Sequence, residues 1–174
     1  IELATRTDLN RFLNIGRESG LNAKTIFGGE HKNKYLLETT GCGVAFYDYD
    51  NDGWLDIFFV NGTRLEGFPA GSQPTSHLFR NNRDGTFTDV SERSHINSSP
   101  GKGLGVAFAD FNNDGFMDIS VANDSFPQFL FKNNGDGTFT EVAEMAGVGY
   151  TEDGKTFAGM GTDFADVDND GNPD

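Results

Sequence analysis

Apolar residues fall in short runs along this chain, separated by clusters of Gly, Asn and Asp. Residues 44–48 alternate large and small side chains. Residues 56–61 (DIFFVN) hold a continuous apolar run, residues 78–80 (LFR) lead into an Asn/Asp-Gly turn, and residues 86–90 (TFTDV) follow it. An Asp-Gly pair between apolar or β-branched runs is a strong hairpin signal, because the turn needs positive φ and Gly adopts it at little cost. The pattern predicts four short strands, with residues 57–60 buried on both faces.

The same order then recurs. GCGVAFYD (41–48), GLGVAFAD (103–110) and GMGTDFAD (159–166) align, and each runs into an acidic nine-residue stretch: DYDNDGWLD from Asp48, DFNNDGFMD from Asp110 and DVDNDGNPD from Asp166. The period is 62 residues, then 56. A second marker, LFRNNRDGTFTDV (78–90) and LFKNNGDGTFTEV (130–142), repeats after 52 residues. The longer first period comes from a Gly/Pro-rich insertion at residues 64–76, and such insertions map to loops. Residues 12–21 align with 87–96 and 139–148, the last strand and exit turn of their repeats.

The chain therefore divides into an N-terminal segment with a closing strand (1–40), repeat 1 (41–100), repeat 2 (101–155) and the start of repeat 3 (156–174). Four-stranded antiparallel sheets stacked face to face are the blades of a β-propeller. The expected fold is all-β, an incomplete ring of about three blades. In a closed ring the orphan closing strand would complete the last blade.

Composition sharpens this picture. With 36% hydrophobic and 13% aromatic residues, the 174-residue chain can build a core, so its net charge of -14 does not make it a disordered acidic tail. Eleven of its 27 acidic residues lie in the three acidic stretches, and without them the charge would be -3. The acidity is local. Nucleic-acid binding would need basic patches that the sequence lacks. No apolar run reaches the roughly 18 residues of a membrane span. The single Cys42 excludes an internal disulfide framework, no CxxC pair offers zinc or redox chemistry, and its place between two glycines reads as a small buried residue. The chain opens on Ile1 with no signal-like segment, as a cleaved precursor or a trimmed chain would.

Like charges packed this densely repel, so something must compensate them. In each acidic stretch the oxygen-bearing side chains stand at positions 1, 3, 5 and 9, with Gly at position 6. Chelation of a hard cation uses this spacing: alternate residues of a tight turn point inward, Gly permits the bend, and the ninth residue returns a carboxylate from the far side. The candidate side-chain ligands are Asp48, Asp50, Asp52 and Asp56; Asp110, Asn112, Asp114 and Asp118; and Asp166, Asp168, Asp170 and Asp174. Position 7 adds the carbonyls of Trp54, Phe116 and Asn172. An all-oxygen set without His or Cys selects Ca²⁺ over zinc or copper, and a flexible protein cage suits Ca²⁺ better than Mg²⁺. About three Ca²⁺ sites are expected. An Asp-rich turn held by Asx hydrogen bonds is the alternative, and three complete copies at matched positions weigh against it. An EF-hand would need Glu at position 12, where Phe59 and Val121 stand.

Together, GxGVAFxDxDNDGxxDI and LFxNNxDGTFTxV resemble the FG-GAP or VCBS repeats of integrin-like β-propellers, in particular the cartilage acidic protein (ASPIC/UnbV-type) family. The similarity runs over nearly the whole chain from about Phe12. It implies a seven-bladed propeller, calcium in the loop between the first two strands of each blade, and an extracellular or cell-surface setting. The calcium ligands it implies fall on the positions already named. Two departures stand out. Thr162 and Asp163 replace Val-Ala, placing a charge in a strand, and Asn112 lowers the carboxylate count of the second loop, which points to a weaker site there.

A partial propeller exposes unpaired edges and an uncovered blade face, which invite association into homo-oligomers or filaments. No enzyme is expected. His31, His77 and His95 have no nearby Ser, Cys or carboxylate in a triad pattern, GxGxxG is not met at Gly41 or Gly103, and ion-coordinating carboxylates are poor general acids. Sequons at Asn61, Asn97 and Asn123 are about as many as chance supplies and do not argue for glycosylation. The expected function is a calcium-binding extracellular propeller module for adhesion or for recognition of a protein or glycan, with structural Ca²⁺. The alternatives are a structural subunit of a homo-oligomeric surface filament and a non-catalytic propeller domain of a larger enzyme. Ligand identity would reside in loops such as residues 64–76.

Overall fold

The structure is a computed structural model that describes residues 13–26, 42–62 and 74–174. Gly41, His31, most of the 64–76 insertion and most of the N-terminal segment lie outside the described residues.

Every regular element among the described residues is a β-strand: β1 (Val44–Tyr47), β2 (Asp56–Phe59), β3 (His77–Asn81), β4 (Phe87–Asp89), β5 (Gly103–Ala109), β6 (Asp118–Phe126), β7 (Phe129–Asn133), β8 (Phe139–Glu141) and β9 (Phe157–Ala158). They form two antiparallel sheets with sequential order, β1-β2-β3-β4 and β5-β6-β7-β8, the meander of a propeller blade. The described residues do not close a ring.

Register places the first two acidic stretches at one end of their blades. Tyr47 pairs with Asp56 and Ala109 with Asp118, so the nine residues from Asp48 and from Asp110 are the β1–β2 and β5–β6 connections. The β3–β4 and β7–β8 hairpins close on Asn81↔Phe87 and Asn133↔Phe139, with Gly85 and Gly137 at φ 87° in their turns.

Of the apolar run 57–60, Ile57, Phe58 and Val60 are buried as expected, while Phe59 is half-buried. One core joins the sheets, built from Tyr47, Tyr49, Phe58, Val60, Leu78, Ile119, Phe131 and their neighbours, with Val106 and Phe108 of β5 packed against it. Blade 2 approaches so closely that a Cβ at Gly103 would stand 2.1 Å from Val60 Cγ1. Gly103 also donates its N–H to the Asn61 carbonyl at 3.1 Å. The GxG that opens the repeat is thus a contact between blades. Exit turns are handed on in the same way: Phe87 N donates to Ser19 O at 2.7 Å, and Phe139 N donates to Ser94 O, the aligned position one repeat later, at 2.9 Å.

Three details depart from the sequence expectation. The third repeat forms no sheet of its own; β9 pairs with the far half of β6 through Asp124↔Ala158 and Phe126↔Phe157. Residues 159–165 make no strand, although the aligned segments form β1 and β5. Thr162 nevertheless finds a partner in that segment, Ser120 Oγ at 2.9 Å, which explains a hydroxyl where the other repeats carry Val. Cys42 is half-buried instead of buried, and burial raises its thiol pKa.

Candidate metal centre

The three acidic loops share one hydrogen-bond pattern. At position 1, Asp48 accepts the N–H groups of Asp52 (3.0 Å) and Gly53 (2.7 Å), Asp110 those of Asp114 (2.9 Å) and Gly115 (2.7 Å), and Asp166 those of Asp170 (3.0 Å) and Gly171 (2.9 Å). At position 5, Asp52, Asp114 and Asp170 accept the N–H of position 7, from Trp54, Phe116 and Asn172. The turn itself needs two left-handed residues, Asn at position 4 (φ 55°, 57° and 62°) and Gly at position 6 (φ 87°, 89° and 94°). Asn tolerates that region and Gly enters it without a Cβ penalty.

Position 9 holds the first two loops to their blades. Buried Asp56 accepts Tyr49 N at 3.1 Å and Asn81 N at 2.7 Å; buried Asp118 accepts Phe111 N at 3.1 Å and Asn133 N at 2.7 Å. Asp174 accepts Val167 N at 2.8 Å in the third loop. Burial pushes the Asp56 and Asp118 carboxyls up to about 6, against the pull of these N–H donors.

The carboxylates converge in part. Oxygens of Asp48, Asp50 and Asp52 lie within 4.8 Å of one another, as do those of Asp166, Asp168 and Asp174. Asp56 and Asp170 stand outside these groups. In the second loop Asn112 Oδ1 accepts Asp114 N at 3.1 Å, repeating the Asp168 contact in the third.

Sequence reasoning missed the cations. Arg80 Nε donates to Asp50 Oδ2 at 2.7 Å, its Nη2 reaches Asp52 Oδ2 at 3.2 Å, and Arg83 Nη2 reaches the same oxygen at 2.8 Å. The hydrogen bond from Arg83 is the largest influence holding the Asp52 carboxyl below its ordinary value. In blade 2 the aligned Lys132 lies 3.3 Å from Asp114. The signal was present as the basic residue third in LFRNN and LFKNN. Asp50 Oδ1 remains buried with no hydrogen-bond partner among the described residues.

Two other features bear on the sequence expectations. A carboxylate and a serine do approach a histidine: His77 Nδ1 lies 3.2 Å from Asp89, and Ser91 Oγ donates to Asp89 at 2.5 Å. The order is Ser91, Asp89, His77, and Ser91 Oγ also accepts Leu78 N, so its hydroxyl proton faces a carboxylate instead of an imidazole. A triad needs the imidazole next to the nucleophile. The Asn61 and Asn123 amides are buried, with Nδ2 donating to Lys24 O (3.2 Å) and Pro127 O (2.7 Å), so neither amide is open to glycosylation in the folded chain. No helix among the described residues is long and apolar enough to cross a membrane.

Comparison with known proteins places this geometry. The FG-GAP-like repeat matches residues 48–121 and the FG-GAP repeat matches residues 103–140. Cartilage acidic protein 1 of Xenopus tropicalis is 37% identical over 114 residues, covering 64% of this chain and 16% of that protein. The Homo sapiens protein of the same name is 36% identical over 108 residues, 60% of this chain and 15% of its own length. Integrin alpha-3 of Cricetulus griseus is 32% identical over 108 residues, 54% of this chain and 10% of the relative. The chain thus matches only about a sixth of the length of the cartilage acidic proteins. With both blade-forming segments matched and two blades observed, the chain belongs to the FG-GAP repeat family.

Proposed function

We propose that this chain is a calcium-stabilised segment of an extracellular β-propeller, serving adhesion or recognition of a protein or glycan, with the ion structural and no catalytic role. The observation that carries it is the first loop: three carboxylates converge within 4.8 Å, and Asp50 Oδ1 is buried beside them without a hydrogen bond. The donors are hard oxygens, with Asp48, Asp50, Asp52, Asp56 and the Trp54 carbonyl as the proposed set, and the matching residues in loops 2 and 3. A divalent cation held there would neutralise the loop and tie position 1 to position 9 across the first hairpin of the blade. The relatives named for cartilage and for integrins support the extracellular setting.

Thermal unfolding after chelation, then with added Ca²⁺ or Mg²⁺, tests the proposal. A Ca²⁺-selective rise in midpoint between about 10⁻⁴ and 10⁻³ M supports structural sites of the extracellular type. No shift with either ion removes the metal from the function.

A second reading, self-association into an oligomer or filament, is favoured by one observation. Val44 and Phe46 in β1 are 52% and 61% exposed, whereas their aligned counterparts Val106 and Phe108 in β5 pack against blade 1. Among the described residues, the face of β1 that is covered in β5 therefore stands uncovered. A concentration-independent monomer mass in sedimentation would exclude this reading.

A further inference from the structure

Position 4 of each acidic loop is an asparagine, and its side chain belongs to no proposed ion cage. Asn51 and Asn113 instead leave their own loops. Asn51 Nδ2 donates to the Gly115 carbonyl of the second loop at 3.1 Å, and Asn113 Nδ2 donates to Asn172 Oδ1 of the third at 2.5 Å. Each contact lands at position 6 or 7 of the neighbouring loop, beside the residue that aims a carboxylate.

The Gly115 carbonyl shares its peptide with the Phe116 N–H, which donates to Asp114 Oδ1 at 3.0 Å. Holding one end of a planar peptide fixes the other. The Asn51 amide thus bears on the orientation of Asp114. In the third loop the link is shorter, because Asn172 donates to Asp170 Oδ1 from both its side chain (2.9 Å) and its backbone (2.8 Å). Buried Asn133 keeps the first two loops at the distance these contacts need, its Nδ2 donating to Tyr49 O at 2.9 Å and Met117 O at 3.2 Å.

We propose that Asn51 and Asn113 are positioning residues that couple successive acidic loops, so that a divalent cation held in one loop raises the affinity of the next. The proposal rests on the calcium sites set out above. Coupling of this kind is reciprocal, so occupancy of loop 2 raises the affinity of loop 1 by the same factor. One hydrogen bond carries about a three- to tenfold effect on an equilibrium.

Trp54 is the single tryptophan of the chain and stands at position 7 of loop 1, so its emission, or Tb³⁺ luminescence sensitised by selective excitation of its indole, reports on that loop. The test titrates Ca²⁺, then Tb³⁺, into the full chain and into Asp114→Asn, Asn51→Gly and the double variant. Glycine keeps the left-handed turn while removing the amide. Equal unfolding midpoints in chelator for wild type and Asn51→Gly establish that the blades remain folded. Impairing loop 2 with Asp114→Asn is expected to weaken loop 1 about three- to tenfold in the wild-type background and to have almost no effect in the Asn51→Gly background. Asn113→Gly is the control: its partner is in loop 3, so the coupling of loops 1 and 2 persists. Equal weakening in both backgrounds, or none in wild type while the ions still bind, overturns the coupling and leaves the calcium sites intact. Absence of any ion-dependent signal in wild type removes both.

Discussion

The rings of Tyr47 in β1 and Phe108 in β5 stack with centroids 4.1 Å apart and planes 21° apart, joining the two blades. Phe108 also meets Phe58 edge-on at 6.4 Å. Tyr47 is buried, and its hydroxyl has no hydrogen-bond partner among the described residues. Aromatic contacts of this geometry add to plain area burial, while an unsatisfied buried hydroxyl subtracts about 1–3 kcal/mol. Phe108→Ala is therefore expected to cost about 2–3 kcal/mol in denaturant unfolding, less than a fully buried ring because Phe108 is half-buried. Tyr47→Phe keeps the stack and should leave the midpoint unchanged or higher. A clear loss in Tyr47→Phe would mean the hydroxyl has a partner after all.

Gly103 makes a sharper steric prediction. Its missing Cβ is what admits Val60, with Val121 Cγ1 at 3.1 Å on the other side. Gly103→Ala should overpack the blade interface and destabilise by about 1–3 kcal/mol. Adding Val60→Ala vacates the clashing methyl, so the double variant should lose less than the sum of the two single losses. Additive losses in a double-mutant cycle would show that the blades do not meet at this point.

Local chemistry explains what could be seen before folding. The Asp-Gly hairpins, the strand order and the 1, 3, 5, 9 spacing depend on neighbours within about ten residues, and the repeat presents each of them more than once. What escaped depends on how one blade faces another. Asn51 and Gly115 are 64 residues apart, and Asn133 reaches Tyr49 across 84. No periodicity announces such pairs. The LFRNN and LFKNN motifs showed a cation but not its aim, which comes from β3 and β7 running back toward the acidic loops. Residues 159–165 carry the strand pattern of the other repeats without pairing in a sheet, because a strand pattern becomes a strand only where a neighbour bonds it.

Arg80 and Arg83 occupy the same carboxylates that a cation would use. Without an ion, the guanidinium groups offset the repulsion of loop 1; with one, they sit beside like charge. Arg80→Gln should lower the unfolding midpoint in chelator and widen the rise that saturating Ca²⁺ produces. An unchanged calcium increment in Arg80→Gln would show that the arginine and the ion do not compete.

The carboxyls of Asp56 and Asp118 give the metal-free chain an unusual pH dependence. Burial lifts both from 3.8 to about 6, so between these values the folded chain binds more protons than the unfolded one. Stability then falls as pH rises, since its slope follows the protons bound in the unfolded state minus those bound in the folded state. Each group takes away on the order of 2 kcal/mol by pH 7. Carboxyls held below their ordinary value act in the opposite direction but only nearer pH 4, among them Asp124, which is lowered first by its hydrogen bond from Lys102. In chelator the unfolding midpoint should therefore climb from pH 7.5 to a maximum near about pH 5 and drop below it. Saturating Ca²⁺ favours the ionised carboxylates and should reverse the climb, leaving the midpoint highest at neutral pH. A midpoint in chelator that rises steadily from pH 5 to pH 7.5 would show that both carboxyls are ionised without cost, and that their backbone donors outweigh burial.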